Sequence, residues 1–247
     1  MKIASFDIGL KTCSVAVETY PETTELKAPS SKYLKNGEAT DAMKTFVNEV
    51  GKLGSISHLE KRELGDKKSY FAGAAFHNLY AWIKEMDAHI RDADIVLIEQ
   101  QMKINNIALA LMHHLHAYLL IHYPQKKVVL YPSKNKTRVL GAPLKVETQV
   151  PSKTTDKKVS KKQQTQASLT EMKEAETQEV PVSIKTKLTK VTKYQRKKWS
   201  TDCANQLLQD RKDERWHTYI FQTNNSKKDD LSDVIMQTLS YMVTKYL

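Results

Sequence analysis

The strongest constraint on this chain is a pair of short apolar runs that each end in a carboxylate. Met1-Lys2-Ile3-Ala4-Ser5-Phe6 runs into Asp7, and Ile95-Val96-Leu97-Ile98 runs into Glu99. Short, continuous apolar runs are what a strand buried on both faces requires, so both segments predict strands inside an α/β sheet. A carboxylate at the end of such a strand is expected at the sheet's rim, where it stays exposed. Asp230 and Asp233 open the last helical segment, three residues apart and so on one helix face. Carboxylates converging on one place repel one another unless cations neutralise them. Taken singly, each has an ordinary reading. Asp229 or Asp230 suits a helix cap, Glu99 an exposed strand end, and Asp7 a turn before Gly9.

The elements around these acids follow from periodicity. Residues 2–8 and 13–18 read as two strands, with a third expected near 24–34, where the pattern is weak. Helical spacing marks 40–53, then 69–92 through Phe71, Ala75, Leu79, Trp82, Ile83, Met86 and Ile90. A strand over 94–99, a helix over 103–122 and a strand over 127–131, stopped by Pro132, come next. The stretch from Leu144 to Thr192 holds no aromatic residue and no glycine and is rich in Lys, Thr, Gln and Ser. It lacks the apolar surface to offset its ordering entropy. It is expected to be a disordered lysine-rich insertion acting as a spacer, with 167–176 as its one segment suited to a transient helix. Order resumes at Tyr194 with a helix carrying Trp199, Ala204, Leu207 and Leu208, followed by a strand-like piece over 218–221 and a helix over 230–246. A β-meander followed by alternating helices and strands predicts an α/β architecture with parallel later strands. One domain over 1–143 and 193–247 is expected, interrupted at 144–192.

Charge narrows the partner. Lys and Arg number 39 against 28 Asp and Glu, for a formal net charge of +11 and a pI near 9.4. That balance favours DNA, RNA or an anionic membrane, and an acidic pocket within a basic surface points to a metal-dependent enzyme acting on a polyanion. Cys13 and Cys203 are the only cysteines, which offers neither a disulfide scaffold nor a thiolate zinc site. No apolar stretch reaches the roughly 18–20 residues that span a bilayer, and Asp7 interrupts any signal-like run, so a soluble intracellular protein is expected. His113, His114 and His116 cluster within a helical turn but do not share one direction, which favours packing or an interface over zinc.

In combination and order, Phe6-Asp7-Ile8-Gly9-Leu10-Lys11, Leu97-Ile98-Glu99-Gln100-Gln101 and Asp229-Asp230-Leu231-Ser232-Asp233 resemble the motifs of RuvC-type Holliday junction resolvases, closest to those of poxviruses and other large DNA viruses. The resemblance covers 1–20, 69–140 and 194–247. It implies an RNase H-like fold, a mixed five-stranded sheet flanked by helices. It also implies a homodimeric, Mg²⁺-dependent endonuclease that cuts four-way DNA junctions, with Mn²⁺ able to substitute and two ions per site. The family's four carboxylates carry over to Asp7, Glu99, Asp230 and Asp233, and Asp229 is an additional acid. Arg196-Lys197-Lys198-Trp199-Ser200 resembles the family's basic helix start, making Lys197 or Lys198 the candidate for the scissile phosphate. Lys11, Lys134, Lys136, Arg138 and Arg196 are candidate DNA contacts, two of them, Lys134 and Lys136, in the loop Tyr131-Pro132-Ser133-Lys134-Asn135-Lys136. In that family the helix holding the histidine cluster lies near the dimer interface, where the cluster would tune subunit contact.

Three other readings stand beside this one. Another RNase H-like nuclease, on an RNA–DNA hybrid or branched DNA, would use the same acids, and a DNA-binding module without catalysis would keep the fold. A phosphotransferase of the actin and sugar-kinase kind also begins with Asp-x-Gly. It needs glycine-rich nucleotide loops, and this chain has seven glycines in all.

Overall fold

β1 (Lys2–Asp7), β2 (Cys13–Thr19), β3 (Ser55–Arg62), β4 (Ile95–Gln100) and β5 (Lys127–Pro132) form a mixed sheet ordered β3-β2-β1-β4-β5 in the computed structural model. β1 pairs antiparallel with β2 and parallel with β4, and β4 pairs parallel with β5. The two carboxylate-terminated runs are therefore neighbouring parallel strands. The structure describes residues 1–22, 25–151, 184–224 and 228–247. They fall into two units, Met1–Leu144 with Val191–Leu247, and Lys145–Lys190.

Both faces of the sheet are covered, which is why its central strands are apolar without alternation. On one face Ile3, Ala16, Ile95 and Leu97 join residues of α1 (Asp41–Lys52), α7 (Lys193–Asp210) and α9 (Lys228–Tyr246). On the other, Ala4, Phe6, Val15, Val96 and Ile98 pack with α3 (Ala74–Glu85), α4 (Asp87–Asp92) and α5 (Asn106–His122). Trp82 of α3 meets Phe6 edge to face at 5.8 Å between ring centroids. Each such large side chain contributes about 1.5–3 kcal/mol by leaving water.

Several elements depart from the periodicity. The third strand is not at 24–34 but at Ser55–Arg62, where Glu60, Lys61 and Arg62 mask the alternation of an edge strand. Residues 30–40 are irregular, with only an isolated bridge between Tyr33 and Ala39. The helix expected over 69–92 is three: α2 (Lys67–Phe71), α3 and α4. Gly73 interrupts it with φ +81°, a left-handed conformation that a glycine adopts freely, and Met86, with ψ near zero, ends α3. α5 starts at Asn106 because the Asn105 side chain accepts from the Ala108 amide. The apolar piece at 218–221 is not a strand. It follows α8 (Glu214–Thr218) and continues as a π-helical turn, Tyr219–Thr223, closed by the Asn224 amide donating to Tyr219 O at 3.0 Å. Periodicity alone cannot separate a short apolar helix from a strand.

The second unit is a two-stranded antiparallel ribbon, β6 (Lys145–Pro151) with β7 (Ile184–Lys190), registered from Lys145 opposite Lys190 to Pro151 opposite Ile184. The ends of the stretch expected to lack structure are therefore paired strands, and their β-branched residues, Val146, Thr148, Val150, Ile184, Thr186 and Thr189, favour that state. The segment considered for a transient helix, 167–176, lies outside the described residues.

A buried ion pair ties the first unit together far from the acids. Arg211, which caps α7, donates to Glu18 Oε2 at 3.0 Å, to Tyr20 Oη at 3.0 Å and to Gly51 O at 2.8 Å. Its side chain is 3% exposed and that of Glu18 0%. Gly54 leaves room for it, since a Cβ there would stand 2.2 Å from Arg211 Nη2. Burial pushes the Glu18 carboxyl above its ordinary range, and Arg211 pulls it back. Removing one partner strands the other in the core. Arg211→Leu should lower the unfolding free energy by about 3–5 kcal/mol at pH 7.5 in urea denaturation. Without Arg211 the folded Glu18 pKa lies still further above the unfolded value, and a raised pKa stabilises more at low pH. The deficit should therefore shrink when the measurement is repeated at pH 5.

Candidate active site

The site stands where β1, β4, α6 (Ser133–Val139) and α9 come together. The register that sets Phe6 opposite Ile98 carries Asp7 and Glu99 to the same end of adjacent strands, and their side chains are within hydrogen-bonding reach. Asp233, on the second turn of α9, approaches from the helix layer. Between these acids stands Lys136 of α6, only 6% exposed. Its Nζ is 3.2 Å from Asp233 Oδ1 and 3.9 Å from Glu99 Oε1.

Neighbouring polar side chains hold the acids in place. Gln101 Nε2 donates to Asp7 Oδ1 at 3.1 Å, and Ser200 Oγ of α7 donates to Asp233 Oδ1 at 2.7 Å. Gln237 Nε2 reaches Phe6 O at 3.4 Å, joining α9 to the end of β1. Ser240 of α9 bonds Tyr131 Oη of β5 at 2.7 Å and Asn135 O of α6 at 3.3 Å, which fixes the helix that delivers Lys136.

Electrostatics follow from this packing. Burial first, then the Glu99 charge beside it, raise the Asp7 carboxyl well above the usual carboxylate range, against the pull of Lys136. Burial opposes the charge on Lys136, but Asp233, Glu99 and Asp7 outweigh it and hold the ammonium protonated beyond the range of a free lysine. Lys136 is thus the cation that offsets three acids.

The sequence-predicted residues divide into two neighbouring groups. Asp7, Glu99 and Asp233 meet around Lys136. Asp229, in the first turn of α9, is ion-paired to Lys197 of α7, whose charge is also felt by Asp230 and Asp233. Burial works against the charge on Lys197, and Asp229 more than restores it; Asp229 in turn is held below its ordinary pKa by Lys197 despite partial burial. Lys198 turns outward and bonds Asp202 at 2.6 Å. Lys11, Lys134, Arg138 and Arg196 are exposed, on the turn after β1, on α6 and at the start of α7. Lys136, grouped with these as a DNA contact, instead lies inside the acid cluster; helical phase on α6 turns it inward while Lys134 and Arg138 face out. Gln101, Ser200 and Gln237 carried no signal of their own, although Gln101 and Ser200 lie within the motifs flanking the acids. His113 and His114 are exposed, and His114 meets Tyr80 Oη at 2.6 Å.

Among the described residues no three carboxylate, imidazole or thiol groups are spaced as a ready-made metal site. The donor set is nonetheless all oxygen, the type a hard divalent cation takes, and the buried Lys136 ammonium shows that the cluster holds positive charge.

Solved structures supply a match to the fold. The crystal structure of fowlpox virus resolvase with its substrate Holliday junction DNA superposes with a TM-score of 0.52 and 14% sequence identity over 100% of both chains. The chain shares the fold of that structure. No family model matches it. Its sequence is 28% identical over 255 residues to Uncharacterized protein 97L of Invertebrate iridescent virus 3, covering 97% of this chain and 98% of that one. It is 29% identical over 167 residues to Uncharacterized protein 170L of Invertebrate iridescent virus 6, covering 67% and 57% respectively. No helix among the described residues is long and apolar enough to cross a membrane.

Because folding raises the Asp7 pKa, its contribution to stability is full below about pH 4, near the ordinary carboxylate pKa, and is lost as pH rises through the folded value. Asp7→Asn should therefore gain stability relative to the unsubstituted protein from pH 4 to pH 8. Thermal unfolding in chelator checks this: a difference in Tm that widens with pH is expected, and a flat one would contradict it.

Proposed function

We propose that the protein is a structure-selective endonuclease that resolves four-way DNA junctions by paired symmetric nicks. The observation that carries this reading is the convergence of Asp7, Glu99 and Asp233 on Lys136 at the end of β1 and β4. The fold shared with a resolvase supports the choice of branched DNA, and the iridescent virus relatives support a viral setting, in which the role would be in DNA recombination or replication.

Asp7, Glu99, Asp230 and Asp233 would hold two Mg²⁺ or Mn²⁺ ions. Such a pair, about 3.5–4 Å apart, supplies an activated water and stabilises the leaving oxygen when bound. Gln101 and Ser200 keep the Asp7 and Asp233 oxygens aimed into the site. Asp7 must be ionised to serve as a ligand, against the burial and the Glu99 charge that raise its pKa, and Lys136 must shift from between the acids. Once displaced, its ammonium would lie close enough to meet a non-bridging oxygen of the scissile phosphate, the role that the family resemblance implies for Lys197 or Lys198. Lys197, beside Asp229, and the exposed Lys11, Lys134, Arg138, Arg196 and Lys198 provide phosphate contacts that read no bases, so binding should weaken steeply with salt.

A junction has approximate twofold symmetry, so paired nicks call for two sites related by the same symmetry, as a homodimer provides. The outer side of α5 offers a surface for this, with Ile121 72% and Leu120 51% exposed beside Tyr118 and Tyr80.

Metal-dependent cleavage of a synthetic four-way junction, compared with flap, linear duplex and RNA–DNA hybrid, tests the assignment. Junction nicking in Mg²⁺ or Mn²⁺ is expected to exceed duplex nicking, and equal cutting of both would overturn it. Asp7→Asn should lower the rate about a thousandfold or more while junction binding survives, as loss of several kcal/mol of charge stabilisation implies. Lys136→Met should lower it about a hundredfold. Tight binding without any metal-dependent cleavage would instead favour a non-catalytic DNA-binding module. Ile121→Asp should shift the protein to monomer in sedimentation and convert paired nicks into single ones.

A further inference from the structure

Beside the acid cluster, α7 and the start of α9 border a pocket of about 700 Å³ whose chemistry is unlike that of the cluster itself. Tyr194 and Phe221 supply aromatic rings to it, and Lys197, Lys198 and Lys228 supply ammonium groups. Tyr194 is 76% exposed, an unusual position for a large aromatic side chain with no core to fill. Asn205 lines the same space, its Oδ1 engaged with His217 Nε2 at 2.8 Å, which leaves its amide nitrogen available as a donor. The acids nearby are already matched, Asp229 to Lys197 and Asp202 to Lys198, while no ion pair is formed by Lys228 among the described residues. A volume of this size lies within the range of about 300–1,000 Å³ typical of ligand pockets.

The pocket adjoins the site through shared residues. Lys197 and Asp229 line it, the Lys197 charge is also felt by Asp230 and Asp233, and Ser200, on the same helix, holds Asp233. A strand whose phosphate lies against the acids would thus have its neighbouring nucleotide at the pocket.

We propose that this pocket receives one unstacked nucleotide of the strand being cut, its base against Tyr194 and Phe221 and its phosphate on Lys197, Lys198 and Lys228. Aromatic rings stack on any base, and lysines hold the backbone, which is the composition of a single-strand binding surface. A base in continuous duplex is stacked on its neighbours and is not free to enter. One released at a strand exchange point is free. The inference rests on the nuclease reading, and the pocket would make the protein select unpaired or loosened nucleotides beside the cut.

The test is binding by fluorescence anisotropy, in chelator so that no cleavage occurs, to a four-way junction, a short single-stranded oligodeoxynucleotide and its linear duplex. Tyr194→Ala should weaken junction and single-strand binding about tenfold to a hundredfold and leave duplex binding within about twofold, since duplex contacts are to phosphates alone. Tyr194→Phe should restore binding, and the salt dependence of Tyr194→Ala should match that of the unsubstituted protein, because a stacking contact releases no counterions. Phe221→Leu, which keeps an apolar side chain against the core, should weaken the same two ligands. Undiminished single-strand binding by Tyr194→Ala, or an equal loss on duplex, would overturn the proposal. If Tyr194 governs single-strand binding but the unsubstituted protein nicks no junction in Mg²⁺ or Mn²⁺, the pocket stands and the junction-resolving function falls.

Discussion

The parallel register between β1 and β4 is the constraint on which the site depends. Setting Ile3 opposite Ile95 and Phe6 opposite Ile98 brings the carboxylate that ends each run to the same edge of the sheet. A slip of one residue would turn every side chain of one strand to the other face and bury a carboxylate in the core. Because Ala4, Phe6, Val96 and Ile98 pack on one side and Ile3, Ile95 and Leu97 on the other, the packing of both faces opposes such a slip. The same hydrophobic burial that stabilises the sheet therefore positions its acids.

Holding Asp7, Glu99 and Asp233 together is unfavourable in itself, and Lys136 offsets part of that repulsion. Its place is set by α6, anchored to α9 and β5 through Ser240, Asn135 and Tyr131. A cluster whose repulsion is partly offset in this way can fold before any other cation is present. It also stores a preference, since the Lys136 ammonium occupies a place that a stronger cation could take. Proteins commonly give up stability at functional sites in this way.

Much of this was legible in the chain. The acids at Asp7 and Glu99 were visible because each ends a short, largely apolar run, and Asp233 because it shares a helix face with Asp230. Lys136 was visible as a basic residue after β5 but not as a buried one, since seven residues of polar helix give no periodicity to show which lysine turns inward. Lys197 and Lys198 are chemically identical and adjacent; only the helical phase of α7 against α9 separates one beside Asp229 from one beside Asp202. β3 was missed because an edge strand can carry charges on half its length, and the breaks at Gly73 and Met86 because backbone conformation leaves apolar spacing unchanged. The paired ends of the 145–190 unit were missed because short strands rich in Thr and Lys resemble a solvated linker in composition.

The fold survives at 14% identity to the fowlpox virus resolvase because few positions carry it. Strand interiors tolerate exchange among apolar residues of similar volume, whereas the register that sets Phe6 opposite Ile98 does not tolerate a slip. Helix α7 illustrates what can vary around that frame. One of its faces packs Ala204, Leu207 and Leu208 into the core; a second holds Asp233 through Ser200 and Asp229 through Lys197; a third carries Tyr194 and Lys198 outward. Changes on the outward face leave core and acids untouched, so what the protein selects beside its acids can alter without moving the acids themselves.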